Sequence, residues 1–175
     1  MSGHNKWKQI KEKKGVLDKK RGALFSKLLK AITIAARDGE KPEFNPRLKA
    51  ALERAKQANV PQENIERAVK KVRDRAENLE EILIEAYGPG GTAIIVEAIT
   101  DSKNRTIQEI KLVLKERGGR IAEPGATAWA FETAPDGGRR PKFKQELKGE
   151  DKEKLAKLIE ELEGQEDVQK IWTNL

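Results

Sequence analysis

The 175-residue chain is 37% apolar and 37% charged and carries a net charge of +7, which allows a modest core under a densely ionic surface. It has no cysteine and one histidine, His4, which excludes disulfides, Cys-ligated zinc, iron–sulfur clusters and thiol nucleophiles and leaves histidine acid–base chemistry almost nothing to work with. No apolar run approaches the roughly 20 residues that span a bilayer, and no apolar stretch of a secretory signal follows the Lys-rich start, so a cytoplasmic protein is expected.

The charge is uneven. Residues 1–75 hold 21 Lys/Arg against 9 Asp/Glu, a balance of +12, whereas residues 76–175 hold 15 against 20, a balance of −5. Such asymmetry reads as a basic binding module joined to a weakly acidic body.

Ser2 to Leu17 shows little periodicity and reads as an extended or weakly helical arm. Lys6, Lys8, Lys11, Lys13 and Lys14 crowd it, with Trp7 and Ile10 as its main apolar residues. A helix is expected from Asp18 as N-cap, with Phe25, Leu28, Leu29, Ile32 and Ala36 at helical spacing and a stop at Asp38-Gly39. Asn45-Pro46 marks a second start, cap then first helical position, and Leu48, Ala51, Leu52, Ala55 and Ala58 form its stripe before Pro61. A third helix from about Gln62 turns Ile65, Ala68, Val69 and Val72 inward, completing a three-helix bundle.

The period then shifts. Glu81 to Tyr87 reads as a strand, Gly88-Pro89-Gly90-Gly91 as a turn, and Thr92 to Thr100 as a buried strand. Thr106 to Arg117 is helical and closed by Gly118-Gly119. Ala126 to Phe131 is strand-like, Pro135 to Gly138 is a turn or linker, and Lys142 to Leu147 could be another strand. A last helix carries Leu155, Leu158, Ile159 and Leu162, and Val168 to Thr173 closes as a strand. The expected class is α+β: a helical bundle, then a ferredoxin-like domain with an antiparallel sheet, preceded by one extra strand. The expected boundaries are 1–77 and 78–175.

The arm and first helix carry the sharpest chemical signal. Residues 1–30 contain ten Lys/Arg against two acids, Glu12 and Asp18, a balance of +8. Each cation that neutralises a phosphate releases a condensed counterion, so DNA or RNA is the matching partner. The cations concerned are Lys6, Lys8, Lys11, Lys13, Lys14, Lys19, Lys20, Arg21 and Lys27. Trp7 can stack on an unpaired base or anchor the arm to the bundle, and the sequence leaves both open. A solubilising tail is the alternative for the Lys run. A membrane-surface helix is disfavoured, because two apolar residues bury too little area. Lys103, Asn104 and Arg105 sit at a strand-to-helix junction where a phosphate could be received, or where a cap and surface ion pairs would suffice. Gly88 to Gly91 lacks the Gly-Lys-Ser/Thr ending of a phosphate loop. No paired carboxylates or metal-ligand spacing appear, so neither an enzyme, a metal, a cofactor nor a small-molecule substrate is expected.

Gly3-His4-Asn5-Lys6-Trp7, Ile10-Lys11, and Asp18 with Lys20-Arg21-Gly22 resemble the opening of the YebC/PmpR family. Asn45-Pro46-Arg47-Leu48, Asn64-Ile65-Glu66-Arg67-Ala68, Tyr87-Gly88-Pro89-Gly90-Gly91, Asn104-Arg105-Thr106, Gly118-Gly119, Gly125, Ala128-Trp129-Ala130-Phe131 and Trp172-Thr173-Asn174 continue the likeness in order. Ala86 and Ala98 depart from the family's usual Gly and Cys. Where the family usually carries a further α/β domain, only Thr133 to Pro141 bridges the gap, so this resembles a short variant with a linker near 133–141. The resemblance implies a DNA-binding transcriptional regulator or a ribosome-associated translation factor of the kind that relieves stalling at proline runs. It also implies that His4, Asn5, Lys6 and Trp7, with Lys13, Lys14, Lys19, Lys20 and Arg21, contact DNA or ribosomal RNA. The other reading is a protein-interaction adaptor whose basic tail only aids solubility.

Overall fold

The first helix is longer than its apolar stripe. In the computed structural model, which describes residues 3–74, 78–135 and 137–175 and the side chains of 13–72, 78–135 and 137–175, α1 runs Gly3–Ala36. The helix expected from Asp18 therefore starts at Gly3, and Asp18 is an exposed mid-helix residue rather than a cap. The Lys, Glu, Gln, Leu and Ile residues of this stretch are adequate helix formers, and a helix already nucleated by packed turns extends at one hydrogen bond per residue.

Those packed turns belong to the unit Met1–Asp74. Leu28, Ile32, Ala35 and Ala36 meet Leu48, Ala51 and Ala55 of α2 (Pro46–Gln57) and Ile65 and Ala68 of α3 (Gln62–Asp74). Thr33 Oγ1 donates within α1 to the Leu29 carbonyl at 3.1 Å and to the Ala68 carbonyl of α3 at 3.2 Å. The Asn45-Pro46 start is as the sequence indicates, and it reaches further. Asn45 Oδ1 accepts from the Leu48 N–H at 3.0 Å, while Nδ2 donates to the Ala35 and Gly39 carbonyls at 2.7 Å each. One buried amide thus caps α2 and satisfies one carbonyl in the last turn of α1 and one in the link that follows it. Asn45→Ala is expected to destabilise the protein by about 2 kcal/mol. Asn45→Asp should not restore the loss, since it keeps the cap but removes both donated bonds; urea unfolding of the three proteins checks this.

The second unit, Arg75–Leu175, is built on a four-stranded antiparallel sheet in the order β3-β1-β2-β6. β1 (Glu80–Tyr87) and β2 (Ala93–Thr100) form a hairpin in register from Glu80 opposite Thr100 to Tyr87 opposite Ala93. α4 (Lys103–Glu116) leads to the short β3 (Arg120–Ile121), and α5 (Glu150–Glu163) leads to β6 (Val168–Thr173). On one face of the sheet Ile82, Ile84, Ala86, Ile94, Val96 and Ala98 pack on Ile110 and Leu114 of α4 and Leu155, Leu158 and Leu162 of α5. On the other, Ala93 and Ile95 pack on Ala130, Phe131 and Trp172.

The α+β class and the two helices backing an antiparallel sheet are as expected, but the chain's route differs. The strand expected ahead of the ferredoxin-like core, β1, is a central strand lying between β2 and β3. The segment Ala126 to Phe131, expected as a further strand of that core, stays out of the four-stranded sheet. Ala128–Ala130 is a 3-10 turn, followed by β4 (Phe131–Thr133), which pairs only with β5 (Arg139–Pro141). Lys142 to Leu147 is not a strand.

Candidate nucleic-acid interface

From Lys13 to Gly22 every residue of α1 is exposed, so this stretch of helix is solvated on all sides among the described residues. It is nevertheless regular. Seven residues along a helix rise about 10.5 Å and nearly close two turns, so Lys13, Lys20 and Lys27 share one side and Lys14 and Arg21 another. Lys19 lies between turns of the same stretch, and Asp18 is its one acid. Lys27 is half-buried where the helix enters the bundle, and the Arg21 guanidinium lies 5.1 Å from the Phe25 ring centroid. Val16, Leu17 and Leu24 are exposed between the cations at 55%, 66% and 44%, apolar flanks that a bound partner could cover. The positions of the His4, Asn5, Lys6, Trp7, Lys8 and Lys11 side chains lie outside the described residues; their backbone is helical.

The second cluster of cations divides. Lys103 and Asn104 are exposed in the first turn of α4. Arg105 is engaged internally: Nη2 donates to Asp101 Oδ1 at 2.8 Å and to Asp167 Oδ2 at 2.9 Å. Those bonds, from Asp167 first and Asp101 next, push its pKa up, so the guanidinium is a permanent charge with carboxylate partners. Asp167 is buried and also accepts from Thr106 Oγ1 at 2.6 Å. This constellation joins the start of α4 to the start of β6, the structural role that cap-and-ion-pair residues serve.

Two features involve none of the expected site residues. Glu85, on β1, is 8% exposed with no cation beside it among the described residues. Its carboxylate accepts from the N–H groups of Gly125 and Thr127 at 2.6 Å each and of Ala128 at 3.1 Å, and from Thr127 Oγ1 at 2.9 Å. Burial pushes its pKa up, but the four donors outweigh burial and hold it below the ordinary carboxylate range. The other feature is an aromatic pair in solvent. Trp129 and Phe143 are 56% and 52% exposed, with ring centroids 5.7 Å apart.

A shallow cleft of about 440 Å³ is lined by Tyr87, Gly88, Gly90, Gly91, Gly118, Gly119 and Arg120. Packing accounts for a glycine there: a Cβ on Gly119 would sit 2.8 Å from the Tyr87 carbonyl oxygen. The Gly88 to Gly91 turn makes a tight strand connection, with Gly90 and Gly91 at φ 66° and 76°.

Residues 5–75 match the family model described as the TACO1/YebC protein N-terminal domain, and residues 79–135 match the TACO1/YebC second and third domain. The chain belongs to the TACO1/YebC family. A relative from Petrotoga mobilis named "Probable transcriptional regulatory protein" is 53% identical over 135 residues, covering 75% of this chain and 54% of the relative. One of the same name from Dictyoglomus thermophilum is 48% identical over 172 residues, covering 97% of this chain and 67% of the relative. The crystal structure of a conserved hypothetical protein from Aquifex aeolicus superposes with a TM-score of 0.80 at 31% identity, covering 88% of this chain and 89% of that one. The chain spans about half the length of several curated relatives it matches. The family membership read from the motifs is therefore correct. Among the described residues no helix is long and apolar enough to cross a membrane.

Proposed function

We propose that the chain is a non-enzymatic, cytoplasmic, nucleic-acid-binding regulator of gene expression that grips phosphate through the basic stretch of α1. The carrying observation is that Lys13, Lys14, Lys19, Lys20 and Arg21 are all exposed on a regular helix with a single acid among them. In this reading residues 1–77 form the nucleic-acid module and 78–175 the body. The bridge at 133–141 stands where longer family members carry a further domain. The absence of cysteine and the single histidine support a non-enzymatic role.

The helical state of the basic segment favours duplex DNA as a target. An α-helix with its side chains is about 10–12 Å across, which the roughly 12 Å major groove of B-DNA admits and the deep, narrow major groove of A-form RNA does not. The relatives' printed names point the same way. Ribosomal RNA remains the target in the translation-factor reading, through its exposed backbone rather than its groove.

A salt series tests the grip. Gel shifts on duplex DNA and co-sedimentation with ribosomes are each run between 50 and 200 mM salt, as an order-of-magnitude range over which phosphate contacts are felt. Five contacts predict a slope of log affinity against log salt of about −4 to −5 on the duplex. A flat response on both targets would remove the phosphate grip and leave the adaptor reading.

A further inference from the structure

The exposed aromatic pair lies on the second unit, where the phosphate grip assigned to α1 gives it no part. Trp129 belongs to the 3-10 turn Ala128–Ala130, and Phe143 follows β5 in the run Arg139-Arg140-Pro141-Lys142-Phe143-Lys144. Four of those six residues are cationic and none is acidic. Water-facing aromatic rings interleaved with cations are the composition of a stacking platform for unpaired bases.

The platform is held in place. The N–H groups of Lys142 and Phe143 donate to the Ala130 carbonyl at 2.8 and 3.4 Å. The Phe143 carbonyl accepts from Asn174 Nδ2 at 3.2 Å, and the Gln145 N–H donates to the Asn174 carbonyl at 2.7 Å. Trp129 Nε1 donates to the Ala126 carbonyl at 2.8 Å. The indole N–H is therefore engaged inside the unit, which holds the exposed Trp129 ring in place. Such a ring can stack on any base but cannot read one by hydrogen bonding. Its order before binding removes part of the entropy cost of association.

Charge supplies the rest. The Lys142 ammonium lies 5.5 Å from the Phe143 ring centroid, and Lys144 is exposed beside it. Arg140 meets Glu132 at 2.7 Å, but both side chains are largely exposed, 60% and 44%. A pair so exposed is weak, and a phosphate can displace its carboxylate. The core of a protein-docking patch is depleted in charge, unlike this surface.

From these placements we infer that Trp129 and Phe143, with Arg140, Lys142 and Lys144, form a second nucleic-acid site that binds a single-stranded segment by base stacking. The inference deepens the nucleic-acid reading by adding a strand-selective contact that α1 does not provide.

The test uses the full chain and fluorescence anisotropy on labelled oligo-U, oligo-dT and a duplex. Trp129→Ala with Phe143→Ala should weaken both single-strand complexes at least tenfold, since each stack lost accounts for about that factor, and leave duplex affinity within about twofold. Lys142→Glu with Lys144→Glu is the second variant, at two exposed side chains. It should weaken single-strand binding and flatten its salt slope by about 1.4, two contacts at roughly 0.7 each. Unchanged single-strand binding in the aromatic variant overturns the proposal, even if the charge variant has an effect, because charge alone would then account for binding. Sedimentation showing a dimer of the wild type that the aromatic variant loses also overturns it, by assigning the patch to a second copy of the chain. Duplex binding that persists in the aromatic variant while single-strand binding falls supports it. Should duplex binding instead survive charge reversal on α1, the α1 reading fails and this one stands.

Discussion

Replacing Lys13, Lys14, Lys19 and Lys20 together by Glu is expected to weaken duplex binding by more than about 10³-fold at 0.1 M salt. Each phosphate contact on B-DNA contributes about 0.9 to the slope of log affinity against log salt, so at 0.1 M four contacts supply about 3.6 decades. Reversal rather than neutralisation adds repulsion on top. The fold should not change. All four side chains are exposed, and Glu and Lys have nearly equal helix propensity. Binding curves and far-UV circular dichroism measured on the same sample separate the two effects. Lost helicity together with lost binding would assign the phenotype to structure instead of charge. Retained binding with retained helicity would show that the grip lies elsewhere.

Glu85→Ala should be the most damaging single change in the second unit, at about 3 kcal/mol. It removes the acceptor for three backbone N–H groups and one hydroxyl, and leaves the buried Thr127 N–H unpaired. Glu85→Gln keeps one acceptor oxygen but puts an amide donor against other donors, and should recover at most half. The pH dependence has a definite sign. Because the folded-state pKa lies below the ordinary value, the ionised form stabilises the fold at every pH above the unfolded-chain value. That contribution is lost as pH falls through the lower, folded value. Thermal melts of wild type and Glu85→Gln should therefore differ most at neutral pH and converge in acid. A gap that widens toward low pH would contradict the account.

Glu85 also explains the largest local departure from the sequence reading. Ala126 to Phe131 alternates like a strand, and locally nothing marks it otherwise. A carboxylate some forty positions earlier gathers the N–H groups of Gly125, Thr127 and Ala128, donors a ladder would have used, and the chain turns there. That contact is non-local, so no window on the sequence contains it. The early start of α1 was hidden for the opposite reason. Residues 3–17 have no apolar stripe, so periodicity is silent there, although helix formers and the absence of proline permit a helix. Asp18 resembled a cap only because the stripe began beyond it. Where side-chain chemistry is local, sequence and structure agree. Asn45-Pro46 starts a helix through a bond three residues away, and the glycines after Tyr87 turn the chain as their positive φ requires. For the candidate sites, the basic stretch was legible as charge but not as a helix. Arg139 to Pro141 reads as linker and Lys142 onward as a strand, although four cations around one aromatic are visible in the run Arg139 to Lys144. Trp129 is brought beside Phe143 only by the β4–β5 ribbon.

That ribbon has a consequence for chain length. Its two strands end side by side, with the Ala134 N–H donating to the Gly138 carbonyl at 2.8 Å and the Gly137 N–H to the Ala134 carbonyl at 2.9 Å. A polypeptide leaving at one of these points and returning at the other closes its circuit without parting the paired strands, and doubling the length of such an excursion costs only about 0.6 kcal/mol. Added length at the tip therefore leaves the β4–β5 pairing intact.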